Sequence, residues 1–489
     1  MPRATRSIRR IGAALVAVGL LTGCGTRIAE DRIERASGLG GQAVAAAPSA
    51  GSVSEAAVSA PTADLAAPGG TTPVTVDQNG TGSAPARSVD RASTAPVRSG
   101  AEPGRPAAPG GCTKPLAPVV LGQTAPASGI IGAATANVRS GLVLWARDVN
   151  ARGGLACHPV QLHQMDDAAD PVRVTSNLTT LVKDKGAVAI VAAYVPTTFS
   201  AARQFAERTR IPFIGGDLIE PGWFASPYLF PQGGTPFAAY AGAIKEAAAA
   251  TGGSKVGLLY CVEAGACGQI NENFEPMVKA AGLEFTLRKV TSITAPDYTA
   301  ECQAMKSAGV EVLFMAMEGA SDSRAARSCR ALGYEPAVAV GAISVSEAVS
   351  SDPNLRAMGL YLGTGNAPFT ASDSAGVRAF RAAYDTYAPG SSIDQNTIYG
   401  WAAGKLLEAA IAKVSTKAGA GEITTALILD GLGQIADEKL DGLAPGITFV
   451  RGAPPKLSDC YYSLTITDRG YGSPRGSKVT CLRGLPKGF

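Results

Sequence analysis

His158 and His163 are the chain's two histidines, and both fall in WARDVNARGGLACHPVQLHQMDD (145–167), which closes on the paired carboxylates Asp166 and Asp167. Imidazole beside carboxylate is common material for a metal site or a general acid–base pair. Spacing decides against both. Val160 and Leu162 alternate as on a strand, and residues five positions apart on a strand point to opposite faces. The histidines read as ordinary polar residues at a strand's edge. Asp170-Pro171 reads as the N-cap and first residue of a helix, so the aspartates end a strand and help to start that helix. The sequence contains no G-x-S-x-G, H-E-x-x-H or C-x-x-C, and TGGSKVG lacks the P-loop spacing. We expect a non-enzyme, with no catalytic residue, no metal and no cofactor.

The elements around these residues alternate strand and helix. PVVLGQ (118–123) reads as a buried strand. A helix follows in which Val138, Leu142, Trp145 and Val149 share one face, and Gly153-Gly154 ends it. HPVQLHQMD is the second strand, and a helix on Val174, Leu178 and Leu181 runs to Gly186. AVAIVAAYV, a helix over 197–209 and IPFIGG complete the first set. The pattern restarts with KVGLLYC (255–261), EFTLRKV (284–290), EVLFMAM (311–317) and AVAVGAI (337–343). GLYLGTG, helices over 374–387 and 394–414, and strand-like GITFV and CYYSLTITD follow. Such alternation predicts α/β lobes with parallel sheets, two of them, joined by several crossings.

Composition excludes other classes. With 46% hydrophobic and 17% charged residues the chain can bury a sizeable core, and a net charge of +4 with no basic run beyond the first ten residues gives no nucleic-acid footprint. MPRATRSIRR is a basic leader, IGAALVAVGLL an apolar run too short to span a bilayer, and LTGC resembles a bacterial lipobox. We expect residues 1–23 to be a lipoprotein signal peptide and Cys24 to carry acyl chains such as palmitate. Each buried CH₂ would add about 0.8 kcal/mol of membrane affinity. Residues 24–111, rich in Ala, Gly, Pro, Ser and Thr, cannot bury enough surface to offset ordering entropy, so a disordered tether reaching roughly 50 Å is expected. The chain has nine cysteines, and setting Cys24 aside leaves an even number in an exported protein, which suggests disulfides. Spacing alone leaves on the order of a hundred pairings open.

Taken in order, the APASGIIG loop after the first strand, DVNARGG, DDAADP and the strand–Thr-Thr–helix of AAYVPTTFS resemble the leucine/isoleucine/valine-binding proteins, type I periplasmic binding proteins of ABC importers. The resemblance covers about 116–450. It implies two doubly wound parallel-sheet lobes with a three-crossing hinge: 115–236 with 364–442, and 237–363 with 443–489. Given that fold, the pairings expected are Cys112–Cys157, Cys261–Cys267, Cys302–Cys329 and Cys460–Cys481. The loops 124–131, 194–198, 216–220, 261–268, 317–321 and 342–345 should line an interlobe cleft, at the carboxyl ends of strands.

The ligand-binding residues implied are Ser128, Ile131, Tyr194, Thr197, Thr198, Asp217 and Glu318. The threonines stand at a helix start, either as polar anchors or as plain caps. Tyr194 forms either an aromatic wall or core packing. The family's usual aromatics fall here at Ile131, Cys267 and Glu318, its acid at Ala342 and its small carboxylate-holding residue at Asp217, so the amino-acid clamp is not preserved. Asp217 and Glu318 either receive a cationic or hydroxyl-rich ligand or act as a turn cap and a solvated surface group. The expected function is capture of a small polar ligand (an amino acid, amide or related metabolite) for ABC permease subunits. The alternative is a ligand-sensing receptor of the same fold. The chain is expected to be a monomer on the outer face of the cell membrane, held by lipid on Cys24.

Overall fold

A computed structural model describes residues 112, 114–129 and 131–487. The expected signal peptide (1–23), Cys24 and the expected tether (24–111) lie outside the described residues.

The first sheet takes strands β1 (Val119–Thr124), β2 (Val160–Met165), β3 (Ala189–Ala193), β4 (Phe213–Gly216) and β5 (Leu229–Phe230), with helices α1 (Gly132–Ala151), α2 (Pro171–Thr179) and α3 (Phe199–Thr209) between them. All its pairings are parallel, in the order β2-β1-β3-β4-β5. Val138, Leu142, Trp145 and Val149 are buried on α1, as their spacing predicts. Asp170 caps α2, accepting from the amides of Val172 and Arg173, with Pro171 at the first helical position. His158 corrects the strand-edge reading. It precedes β2 in a bridge with Leu155 and is buried, its ring nitrogens 2.5 Å from the Ala117 carbonyl and 2.9 Å from that of Ala418.

The chain then passes through α4 (Pro236–Thr251) into the second sheet. β6 (Lys255–Tyr260), α5 (Gly265–Ala280), β7 (Glu284–Val290), α6 (Thr299–Ser307), β8 (Val312–Ala316), α7 (Gly319–Ala331), β9 (Ala337–Val340) and β10 (Leu360–Thr364) build its parallel part. Next, α8 (Ala375–Tyr387), α9 (Gln395–Lys413) and α10 (Thr425–Leu432) return towards the first sheet. There Gly141 of α1 and Gly400 of α9 let two backbones touch, since a Cβ on Gly141 would lie 1.9 Å from the Thr397 carbonyl oxygen. Finally β11 (Cys460–Thr467), β12 (Gly470–Gly472) and β13 (Thr480–Cys481) add antiparallel strands, giving the order β12-β11-β10-β9-β8-β6-β7 with β13 beside β11.

Three expectations shift. GITFV forms only the Ile447–Glu438 bridge, because its amides bond to loop partners. The strand in AVAVGAI stops at Val340, where a short 3₁₀ turn over Ala342–Ser344 takes over. The helix expected from 197 starts at Phe199. The disulfides Cys112–Cys157, Cys261–Cys267, Cys302–Cys329 and Cys460–Cys481 all form.

The crossing segments bond to one another. Gly234 N–H donates to the Gly365 carbonyl at 2.9 Å and Thr235 N–H to that of Ser458 at 3.0 Å. Asn366 Nδ2 reaches the carbonyls of Gln232 at 2.8 Å and Leu443 at 3.1 Å. Residues 443–457 rest against the first sheet, where Phe449 meets Phe230 edge-on at 5.1 Å.

Candidate functional site

A cavity of about 580 Å³, counted with its open mouth, lies where the carboxyl ends of strands from both sheets converge. Each loop expected to line a cleft contributes to it: Ile131 after β1, Thr197 after β3, Ile219 after β4, Cys267 after β6, Glu318 after β8 and Ile343 after β9. Loop ends are well suited to this, since a strand fixes their origin while their side chains stay free to vary.

Polar side chains brace the loops from behind. Asp166 accepts the Ala127 amide at 2.7 Å and the Ser128 hydroxyl at 2.6 Å, holding the loop that carries Ile131. Burial raises the Asp166 pKa, but these bonds and that from Ala168 outweigh it and keep the carboxyl below its ordinary range. Asp217 is fully buried and accepts Val195 N–H at 3.2 Å, Ile219 N–H at 2.9 Å, Glu220 N–H at 3.2 Å and Trp223 Nε1–H at 3.1 Å. Burial pushes its pKa up and those four donors oppose the rise. On the other side Ser344 donates to Asp322 at 2.5 Å, fixing the turn beside Ile343 to α7.

Two contacts cross between the sheets' sides. Glu220, from the β4 loop, accepts the Ala266 amide at the start of α5 at 2.8 Å. The Tyr240 hydroxyl of α4 donates to the Ile219 carbonyl at 3.1 Å. Burial first, then the charge of Asp217, pushes Glu220 up to about 8, with the Ala266 amide pulling the other way.

The site residues read from sequence therefore divide. Ile131, Thr197 and Glu318 line the cavity together. Thr198 is the N-cap residue of α3, yet neither it nor Thr197 acts as a hydroxyl cap: both Oγ1 atoms are buried without a partner. Glu318 caps α7, accepting from the Ala320 amide at 2.6 Å, the Ser321 amide at 2.8 Å and the Ser321 hydroxyl. Ser128 is exposed and engaged with Asp166. Tyr194 belongs to the core, with its hydroxyl on Asn396 at 2.9 Å. Asp217 is turned inwards as a turn-capping residue and does not face the cavity.

Sequence reading missed Glu220, Tyr240 and the apolar walls. Glu220 sits inside a loop already assigned to the cleft, but its partner is 46 positions away. Ile219, Ile270, Ile293, and Phe314 with Met317 come from four separate segments, and no local pattern joins them.

A family model described as periplasmic binding protein matches residues 118–470. No curated protein matches the chain significantly in sequence. Among solved structures, a possible leucine/isoleucine/valine-binding protein from Rhodopirellula baltica SH 1 is similar at TM-score 0.63 and 17% identity, covering 76% of this chain and 99% of its own. A fatty acid ABC transporter substrate-binding protein from Thermomonospora curvata gives 0.60 and 17%, covering 78% and 95%. A solute-binding protein from R. palustris in complex with benzoate gives 0.58 and 16%, covering 76% and 97%. At such identities these likenesses speak for the fold.

Proposed function

The chain belongs to the periplasmic binding protein family, and we propose that it is an extracytoplasmic solute-binding protein that captures a small ligand between two lobes and delivers it to ABC permease subunits. The carrying observation is the cavity walled by strand-end loops of both sheets.

The lobes are 115–236 with 364–442 and 237–363 with 443–489, the stretch 443–457 resting on the first lobe before Cys460 enters the second sheet. Asp217 leaves the ligand-binding set, because it is fully buried and does not line the cavity. The walls also change the ligand expected. Solved structures of this fold are named for leucine, isoleucine and valine and for fatty acid, and one is in complex with benzoate. All of these carry an apolar body, and the isoleucine, phenylalanine and methionine walls here favour such a body over a wholly polar solute.

Native mass spectrometry of the purified full chain, followed by denaturation and small-molecule identification, tests this. A stoichiometric compound with an apolar body is expected. A chain that yields no compound, and gains no thermal stability from any member of a metabolite panel, would count against solute capture.

A further inference from the structure

We propose that the Cys261–Cys267 disulfide is a positioning element of the ligand site: it holds a wall of the cavity that also meets the opposite lobe, and ligand affinity depends on it more than folding does. This rests on the solute-capture reading above and names what keeps that site in shape.

β6 ends at Tyr260 and α5 begins at Gly265, so the chain between them has neither ladder nor helix to fix it. Yet five of the seven residues from 261 to 267 line the cavity: Cys261, Glu263, Ala264, Ala266 and Cys267. The bridge ties the two ends of this segment together over a sequence separation of 6. Cys261 N–H donates to the Ala316 carbonyl at 3.3 Å, and Cys267 Sγ lies 3.6 Å from the same oxygen. Both ends are thereby seated at the tip of β8. A short loop tied at both ends keeps few conformations, so less ordering is left for a ligand to drive.

Two lines of contact leave this loop. Glu263 Oε1 accepts the Ser292 hydroxyl and, at 3.1 Å, the Ile293 amide. The Ile293 carbonyl in turn accepts from the Ser321 hydroxyl at 3.0 Å and from Arg324 at 2.5 Å. The wall residue Ile293 is therefore clamped between the bridged loop and α7. The second line crosses the lobes. Ala266 N–H donates to Glu220 at 2.8 Å, next to Ile219, which walls the cavity from the first lobe.

The other bridges have no such place. None of Cys112, Cys157, Cys302, Cys329, Cys460 and Cys481 lines the cavity. Cys302 and Cys329 join α6 to α7 within the core, over a separation of 27. A longer closed loop restrains the unfolded chain more. Cys302–Cys329 should thus matter more for folding and Cys261–Cys267 more for binding.

The test compares the full chain as wild type, as Cys261→Ala with Cys267→Ala, and as Cys302→Ala with Cys329→Ala. Substitution replaces reductants because Cys112 and Cys481 are exposed and would be reduced first. In chains stripped of co-purified ligand, hydrogen exchange should quicken over 262–268 and 291–296 in the first variant alone, while the second variant melts lower. Nile red, an uncharged apolar fluorophore, should bind the first variant at least about tenfold more weakly than wild type, the cost of ordering about one residue's backbone. It should bind the second variant as it binds wild type. Equal binding to all three chains would overturn the proposal and leave solute capture standing. So would exchange that is unchanged, or that quickens equally in both variants. If Nile red does not bind wild type, the amount of co-purified compound retained per chain is read with the same expectations. A wild type that holds neither removes solute capture, and this proposal with it. Should the first variant not fold, Cys261→Val with Cys267→Ala keeps more of the buried volume and takes its place. Failure of both to fold would make the bridge a folding element and overturn the proposal.

Discussion

Thr197 and Asp217 show how a side chain's surroundings settle its role. Both are small polar residues in strand-end loops of the first sheet. Asp217 meets four donors and becomes a brace, whereas the Thr197 hydroxyl meets none. A group left so in a native interior costs stability unless something meets it. Thr197→Val is close to isosteric and removes the orphan hydroxyl. The variant should melt higher than wild type without ligand, by the equivalent of about 1 kcal/mol, and bind the co-purified ligand about tenfold more weakly. Unchanged affinity in calorimetry would show that the hydroxyl has no ligand to meet.

At the scale of elements, the contact between the β4 loop and the start of α5 carries a pH dependence. Glu220 ionises at about 8 in the folded chain against an ordinary 4.5. Between those values the folded chain keeps a proton that the unfolded chain has released, so stability is full below the lower value and is lost as pH rises through the upper one. Glu220→Gln preserves an acceptor for the Ala266 amide and removes the titration. Melting temperatures should converge near about pH 4 and diverge towards about pH 9, the variant being the more stable there. Parallel curves would show that the carboxyl does not titrate in this window.

Over the whole molecule, the three crossing segments form one hydrogen-bonded bundle at Gly234, Gly365 and Ser458, with the cavity spanning the lobes that they join. A ligand touching both lobes stabilises the closed arrangement by its differential affinity. Small-angle scattering with the co-purified ligand should show a smaller radius of gyration than the stripped chain. A fixed radius under saturation would favour a rigid receptor. The expected lipid anchor has its own test. Cys24→Ser should move the chain from the membrane fraction to the soluble one, and retention in the membrane would remove Cys24 as the anchor.

What the sequence determined by itself is whatever depends on near neighbours. The face of α1 followed from helical periodicity, and the α2 cap from Asp170-Pro171. The disulfide partners followed once the family's order of strands placed neighbouring cysteines side by side. The loops around the cavity were legible for the same reason, since a parallel strand's carboxyl end is fixed by its direction. Tertiary structure alone decided the chemistry inside. The Tyr194 hydroxyl finds Asn396, 202 positions away, and Glu220 finds an amide on another lobe, so neither role has a local signal. His158 is drawn out of the strand pattern by carbonyls from both sides. The apolar walls exist only where segments with no shared period converge, which is why a cavity expected to take a small polar ligand is lined with isoleucine.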